Sequence, residues 1–176
     1  MKNIIIRPVK ASDAEQFIDL HNLVWRYAYG EILPEEVFVK REQKREQKIE
    51  DFKKQEFNNP NNITYVAENN GVLVGLMRAE IVSRYEYFKE QGFADLEALY
   101  IHPDYHKMGI GTKLKDVFVN WAKQKGATKY VIGVLKENNK ARKAYESWGG
   151  KLEEYTNKFV IMDQGYDEVF YTYEIK

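Results

Sequence analysis

Apolar residues recur along this chain in two rhythms, a strict alternation and a spacing of three and four, and their succession predicts a mixed α/β fold. Asn3 to Arg7 is Ile-rich and reads as a first strand, ending at Pro8. Ser12 or Asp13 caps a helix with Phe17, Leu20, Val24 and Tyr27 on one face, and Gly30 stops it. Pro34, Glu35 and Glu36 suit the first turn of a second helix reaching about Phe57. Its stripe of Val37, Phe38, Ile49 and Phe52 is thin. The charged stretch between predicts a solvated surface, with a substrate rim or a partner surface as the lesser reading and helix pairing or a break near Arg41 to Glu46 as a way to shorten it.

Asn58 to Asn62 is a polar turn, followed by a strand over Ile63 to Glu68 and a tight turn at Asn69, Asn70 and Gly71. Val72 to Arg84 reads as a long strand, Tyr85 to Gly92 as a loop or helical turn, and Phe93 to Ile101 as the next strand. A helix follows from Thr112 to Gln124, burying Leu114, Val117, Phe118 and Trp121. Lys129 to Val134 is a short β-branched strand, and Asn138 caps a helix carrying Ala141, Ala144, Tyr145 and Trp148. Lys151 to Ile161 and Glu168 to Ile175 alternate as two strands joined by a turn at Asp163 to Tyr166. The order is β-α-α-β-β-β-α-β-α-β-β, one domain over residues 1–176. The crossover through the Thr112 helix demands at least one parallel pair in the sheet.

With 176 residues, 44% of them hydrophobic and 31% charged, the chain is large enough for a full core. The 27 basic and 27 acidic residues cancel, so bulk attraction to nucleic acid or an anionic membrane has no support. The absence of cysteine removes a disulfide framework, a thiolate nucleophile and thiolate-held metal. Three scattered histidines give no paired metal-ligand spacing. Too few apolar residues precede Arg7 for a signal peptide, and no later run approaches a membrane span. A cytoplasmic location is the expectation.

The stretch that organises the chemistry is Asp95 to Gln124. A strand there feeds a basic, glycine-containing loop, His106, Lys107, Met108, Gly109, Ile110 and Gly111, which opens a helix at Thr112. The first N–H groups of a helix have no intrahelical acceptor and the helix dipole favours negative charge beside them, so this junction suits an anion. It lacks the Lys-Ser/Thr ending of a nucleotide P-loop, and two glycines that merely let the loop turn are the plain alternative.

Four separated features, in order, resemble the GNAT superfamily of acyl-CoA-dependent N-acetyltransferases over essentially the whole length. They are the strand LEALYIHPDY, the loop HKMGIG, the strand KYVIGVLKENNKA with Asn138 at its helix start, and the run KAYESWGGK. His106 stands where the family usually has Gln or Arg, and Trp148–Gly149–Gly150 where it more often reads Gly–Phe. The resemblance implies a sheet that splays after the strand carrying Glu97 to Ile101, with the pantetheine arm of coenzyme A in the opening. It carries a cofactor role to Leu99, Tyr100 and Ile101, to the loop from His106 through Lys107, Met108, Gly109, Ile110 and Gly111 to Thr112, and to Asn138, Lys140 and Tyr145. The N–H of Tyr100 or Ile101 would then lie near the thioester carbonyl.

The activity it implies is transfer of acetyl from acetyl-CoA to a primary amine by direct attack in a ternary complex. Tyr145 resembles the family tyrosine that protonates the leaving sulfur, against a plain aromatic role. Asn138 resembles the residue bonding the pantetheine arm, compatibly with an N-cap. Glu97 leads as base, with a structural carboxylate, Glu80 or a water chain as alternatives. His102 suits a turn, and His21, among polar neighbours, is assigned no chemistry. Trp25, Tyr27, Tyr29, Glu97 and Tyr85 are the candidate substrate contacts. Their aromatic and acidic surroundings suit a cationic amine, whether small molecule, polyamine, amino sugar or peptide terminus. A homodimer through the late strands fits related proteins. The rival readings are a non-catalytic acyl-CoA-binding or interaction module of the same fold, and a transferase for another acyl group.

Overall fold

A computed structural model describes residues 3–55, 57 and 59–176. Among the described residues, seven strands and six α-helices follow the expected order with two helices added, one from a split of the second helix and one a short turn at Glu86–Lys89: β1 Ile4–Pro8, α1 Ala14–Tyr29, α2 Glu35–Gln43, α3 Arg45–Lys53, β2 Asn62–Asn69, β3 Val72–Glu80, α4 Glu86–Lys89, β4 Ala94–Ile101, α5 Ile110–Gln124, β5 Lys129–Leu135, α6 Asn139–Ser147, β6 Lys151–Ile161 and β7 Gln164–Glu174. The fold is the mixed α/β arrangement anticipated from the sequence. The long second helix breaks at Lys44 into α2 and α3. Glu56 and Asn58, at the expected helix end and polar turn, lie outside the described residues, as do Met1 and Lys2 of the N-terminal segment.

The chain divides into two compact units, 1–79 with 98–118 and 80–97 with 119–176. The first unit holds β1, β2 and β3 in that sheet order, and the second holds β5, β7 and β6 in that order; the residues of β4 are divided between the units after Glu97.

In the first unit β1 pairs antiparallel with β2, from Ile4↔Asn69 to Pro8↔Tyr65. Phe17, Ile18, Leu20 and Val24 of α1 are packed with Ile49 and Phe52 of α3 and with Val66, Leu73 and Leu76 of the strands. Arg7 fastens the entry to α1: its guanidinium donates to both Asp13 oxygens, at 2.7 and 2.9 Å, and to Glu68 at 2.8 Å.

In the second unit β5 pairs antiparallel with β7 over seven residues, from Lys129↔Glu174 to Leu135↔Glu168. Val169 to Tyr173 of β7 is buried throughout, whereas β6 alternates between half-buried and exposed. The β6–β7 turn is shorter than the sequence suggests. Met162 and Asp163 take φ of 52° and 61°, so Ile161 already faces Gln164. Such a two-residue turn matches the strand twist but lacks the Asn-Gly signature that would have announced it. Among the described residues no helix is long and apolar enough to cross a membrane.

Candidate functional site

The glycine loop belongs to the first unit. Strand β4 ends at Ile101, and a turn at Pro103–Tyr105 is capped by His102, whose Nδ1 accepts from the Asp104 N–H at 3.2 Å. His102 therefore serves the turn. His106, expected to face an anion, donates from Nε2 to the Ile101 carbonyl at 2.9 Å and closes the loop against the strand end. Lys107 and Gly109 have φ of 60° and 74°, and a Cβ added to Gly109 would stand in open space. The helix starts at Ile110, two residues before the expected Thr112, because Gly109 already accepts from the Lys113 N–H at 3.1 Å. The N–H groups of Ile110, Gly111 and Thr112 precede that first helical bond and lie at an exposed, basic loop. That combination fits a pyrophosphate.

The second unit holds the parallel pair. Its register covers Ala94↔Tyr130 and Asp95↔Val131, although β4 continues through Leu96 and Glu97 and β5 through Leu135. Beyond Val131, β5 is bonded to β7 on its other side only, among the described pairings. An early end to parallel pairing leaves amides that an extended, amide-bearing arm could satisfy.

Glu97 stands just past that point, half-buried, with Arg84 Nη1 at 3.3 Å from its Oε1. Arg84 also approaches Asp95, at 3.7 Å, and donates to the Tyr85 hydroxyl at 2.9 Å. Burial works against the guanidinium's charge, but Asp95, Tyr85 and Glu97 outweigh it and raise Arg84 above its ordinary value. Asp95 is 1% exposed; burial pushes its carboxyl up to about 6, against the pull of Arg84 and Ser83. Its Oδ2 accepts from the Ser83 hydroxyl and the Arg84 N–H, whereas Oδ1 has no hydrogen-bond partner among the described residues.

Tyr85 donates its hydroxyl to Glu168 Oε1 at 2.6 Å, and burial followed by Glu168 raises the phenol. Gly133 makes room for this bond, since a Cβ there would meet the Tyr85 hydroxyl at 2.7 Å and Glu168 at 2.9 Å. The neighbouring aromatics are core rather than an open cage. Phe88, Phe93, Val131 and Phe170 pack with Tyr85 and Tyr155, and Tyr87 stacks on Tyr155 at 4.2 Å.

Helix α6 is pinned to β7 by two tyrosines of the strand. Tyr173 donates to the Tyr145 carbonyl at 2.8 Å, and Tyr171 donates to Glu146 at 2.6 Å. The Tyr145 ring consequently lies against Trp148 and Tyr171, at 5.7 and 5.9 Å. Asn138 is the expected N-cap: its Oδ1 accepts from the Ala141 N–H at 3.2 Å, so a cofactor contact would fall to Nδ2. Lys140 is exposed in the first turn of α6.

The candidate substrate residues separate. Trp25 and Tyr29 meet on one face of α1, with rings 5.0 Å apart, and Tyr29 shares a 3.1 Å hydroxyl contact with Tyr100. Tyr27 points elsewhere, toward His106 at 5.4 Å, because residues two apart on a helix lie on opposite faces. Tyr85 belongs to the second unit.

The structure corrects two readings in the first unit. His21 does not sit among polar neighbours; Phe17, His21, Trp25 and Tyr29 form a stripe at four-residue spacing, and the His21 ring lies 5.7 Å from Tyr100. Arg41 and Lys48 are not part of a solvated face, since Arg41 Nε and Lys48 Nζ are buried. Their positions were readable, four residues after Val37 and four before Phe52, on the apolar stripe. Arg41 lies over the Trp25 ring at 4.1 Å and Arg84 over Tyr85 at 4.8 Å, so the chain's own cations face the two rings expected to receive a cationic amine.

The acetyltransferase (GNAT) family model matches residues 17–150. Among solved structures, the chain is similar to a PaiA N-acetyltransferase from Thermoplasma acidophilum in complex with coenzyme A, at 22% identity and a TM-score of 0.74, covering 97% of this chain and 99% of that one. It is similar also to smu.2055 from Streptococcus mutans, at 24% identity and a TM-score of 0.68, over 98% and 99% of the two chains. YncA from Salmonella typhimurium, an acetyltransferase structure with acetyl-CoA, matches at 17% identity and a TM-score of 0.63, over 99% and 95%. A comparison with curated proteins found no match.

Proposed function

The chain belongs to the acetyltransferase (GNAT) family, whose model spans residues 17–150, and from that premise we propose that it transfers acetyl from acetyl-CoA to a primary amine, residues 1–176 acting as one N-acetyltransferase domain. The observation that carries the reading is the early end of the parallel register at Asp95↔Val131, with both strands continuing beyond it. The loop supports it independently: Gly109 has space where a Cβ would be, beside three N–H groups with no intrahelical acceptor.

Bound acetyl-CoA supplies the acetyl group and the thiolate that leaves. The N–H groups of Ile110, Gly111 and Thr112 hold the pyrophosphate, with Lys107 and Lys113 adding positive charge. Asn138 bonds the pantetheine arm through Nδ2, and Lys140 adds a charge at the start of α6. The backbone N–H of Tyr100 or Ile101 stabilises the oxyanion that develops as the amine attacks.

An ammonium has no lone pair, so the acceptor must first lose a proton, and Glu97 takes it directly or through water. Tyr145 gives its hydroxyl proton to the departing sulfur and regains one from the nitrogen, which sheds its second proton on becoming an amide. The N–C bond forms, the C–S bond breaks, and the products are the N-acetyl amine and coenzyme A. Mass spectrometry of an amine panel incubated with acetyl-CoA tests the assignment. Appearance of an acetylated amine with stoichiometric free coenzyme A supports it. Coenzyme A binding without transfer to any amine favours a non-catalytic acyl-CoA-binding role.

A further inference from the structure

On the face of the first unit around His21, two buried cationic groups, Arg41 Nε and Lys48 Nζ, have charge that no hydrogen bond among the described residues accounts for. Arg41 from α2 and Lys48 from α3 both bear on the His21 ring, and Arg78 from β3 adds a third cation. Arg41 Nε and Lys48 Nζ are buried with no hydrogen-bond partner among the described residues. The carboxylate that acts on both is Glu42, which is itself exposed.

The surroundings respond to this charge. Burial first, then the cations, holds the imidazole of His21 down at about 3, so it is neutral. Burial and Arg41 bring Lys48 down to about 8. A buried cationic donor with no hydrogen-bond acceptor is costly, and an anionic ligand would relieve that cost here. The hydroxyls of Tyr29 and Tyr100, 3.1 Å apart, border the same face, and Trp25 fixes the Arg41 guanidinium by stacking at 4.1 Å.

We propose that this face is an anion site, in which Arg41 and Lys48 bind a carboxylate or phosphate carried by the acyl acceptor. The substrate class is thus an amine that also bears an anionic group, such as an amino acid or a phosphorylated amine. The assignment rests on the transferase reading for the amine, but the anion site itself does not. The proposal also accounts for the rings of Trp25 and Tyr85: each already faces an arginine of the chain, which a cationic substrate would have to displace.

Matched pairs test it. Amino acids against their α-carboxamides form one arm, and O-phosphoethanolamine against ethanolamine the other, with acetylation followed by mass spectrometry. The anionic member of at least one pair should show a kcat/KM about 10- to 100-fold higher than its neutral partner, the range of hydrogen bonds to charged groups. Arg41→Gln and Lys48→Gln should each shrink that ratio, and Lys48→Arg should restore part of it. The arm that responds identifies carboxylate or phosphate. A second readout needs no catalysis: malonate and inorganic phosphate, titrated separately, should give saturable shifts of the His21 ring signals that Arg41→Gln weakens. Ratios near one in both arms, ratios unmoved by both variants, or the absence of any saturable shift would each overturn the proposal. Failure of coenzyme A to bind would strike the transferase reading instead and leave the anion titration standing.

Discussion

Arg84 Nη1 lies 3.3 Å from Glu97 Oε1 and binds the expected catalytic carboxylate into an ion pair that also reaches buried Asp95. The contact fixes where this half-buried carboxylate stands. If Glu97 deprotonates the amine, Glu97→Gln lowers kcat/KM by about 10²-fold at neutral pH, in the range of general base catalysis. Arg84→Gln removes the 3.3 Å contact that positions the carboxylate and should also lower kcat/KM, though less than Glu97→Gln does. An unchanged kcat/KM for Arg84→Gln, with Glu97→Gln fully active, would assign the pair to structure alone.

Tyr145→Phe keeps the ring that lies against Trp148 and Tyr171, and it keeps the carbonyl that accepts from Tyr173. Only the hydroxyl is lost. Turnover should fall about 10²-fold, as for loss of a general acid, with coenzyme A affinity unchanged by calorimetry. An unaltered kcat contradicts the acid role.

Gly109 separates two costs of adding a methyl group. At φ 74° an alanine is strained, by about 1 kcal/mol, yet its Cβ would touch nothing. Gly109→Ala should therefore lose that modest stability in urea denaturation and lose coenzyme A affinity by more than tenfold, or about 1.4 kcal/mol. Equal affinity in variant and parent would place the pyrophosphate elsewhere.

His21 gives a pH signature. Its folded value is about 3 against an ordinary 6.5, so between those limits the unfolded chain binds more protons and stability falls as pH falls. The slope is at most about 1.4 kcal/mol per pH unit. Asp95, raised to about 6 from 3.8, acts in the opposite sense over its own window, gaining stability as pH falls from 6 toward 3.8. His21→Gln should remove the first contribution and flatten the loss of stability below pH 6.5 in denaturant titrations. A slope identical to the parent's would show that His21 is protonated in the folded protein.

The strand and helix order was legible because α1, α5 and the central strands repeat their apolar positions cleanly, and the loop from His106 to Thr112 was visible as glycine spacing. Three features were less so. The β6–β7 turn uses Met162 and Asp163 at positive φ without the residues that usually mark it. Arg41 and Lys48 were lost in a run of charges, since composition weighed more in the reading than their spacing from Val37 and Phe52. The Arg84, Asp95 and Glu168 network joins a loop to β4 and β7, and such pairings across distant segments leave no local periodicity to read.

Titration calorimetry of the folded protein with coenzyme A probes the acyl-donor account most directly. It predicts saturable binding of one molecule per chain, weakened by salt as charge neutralisation at the α5 amides requires. A flat titration at millimolar coenzyme A, with the protein still folded, would contradict it.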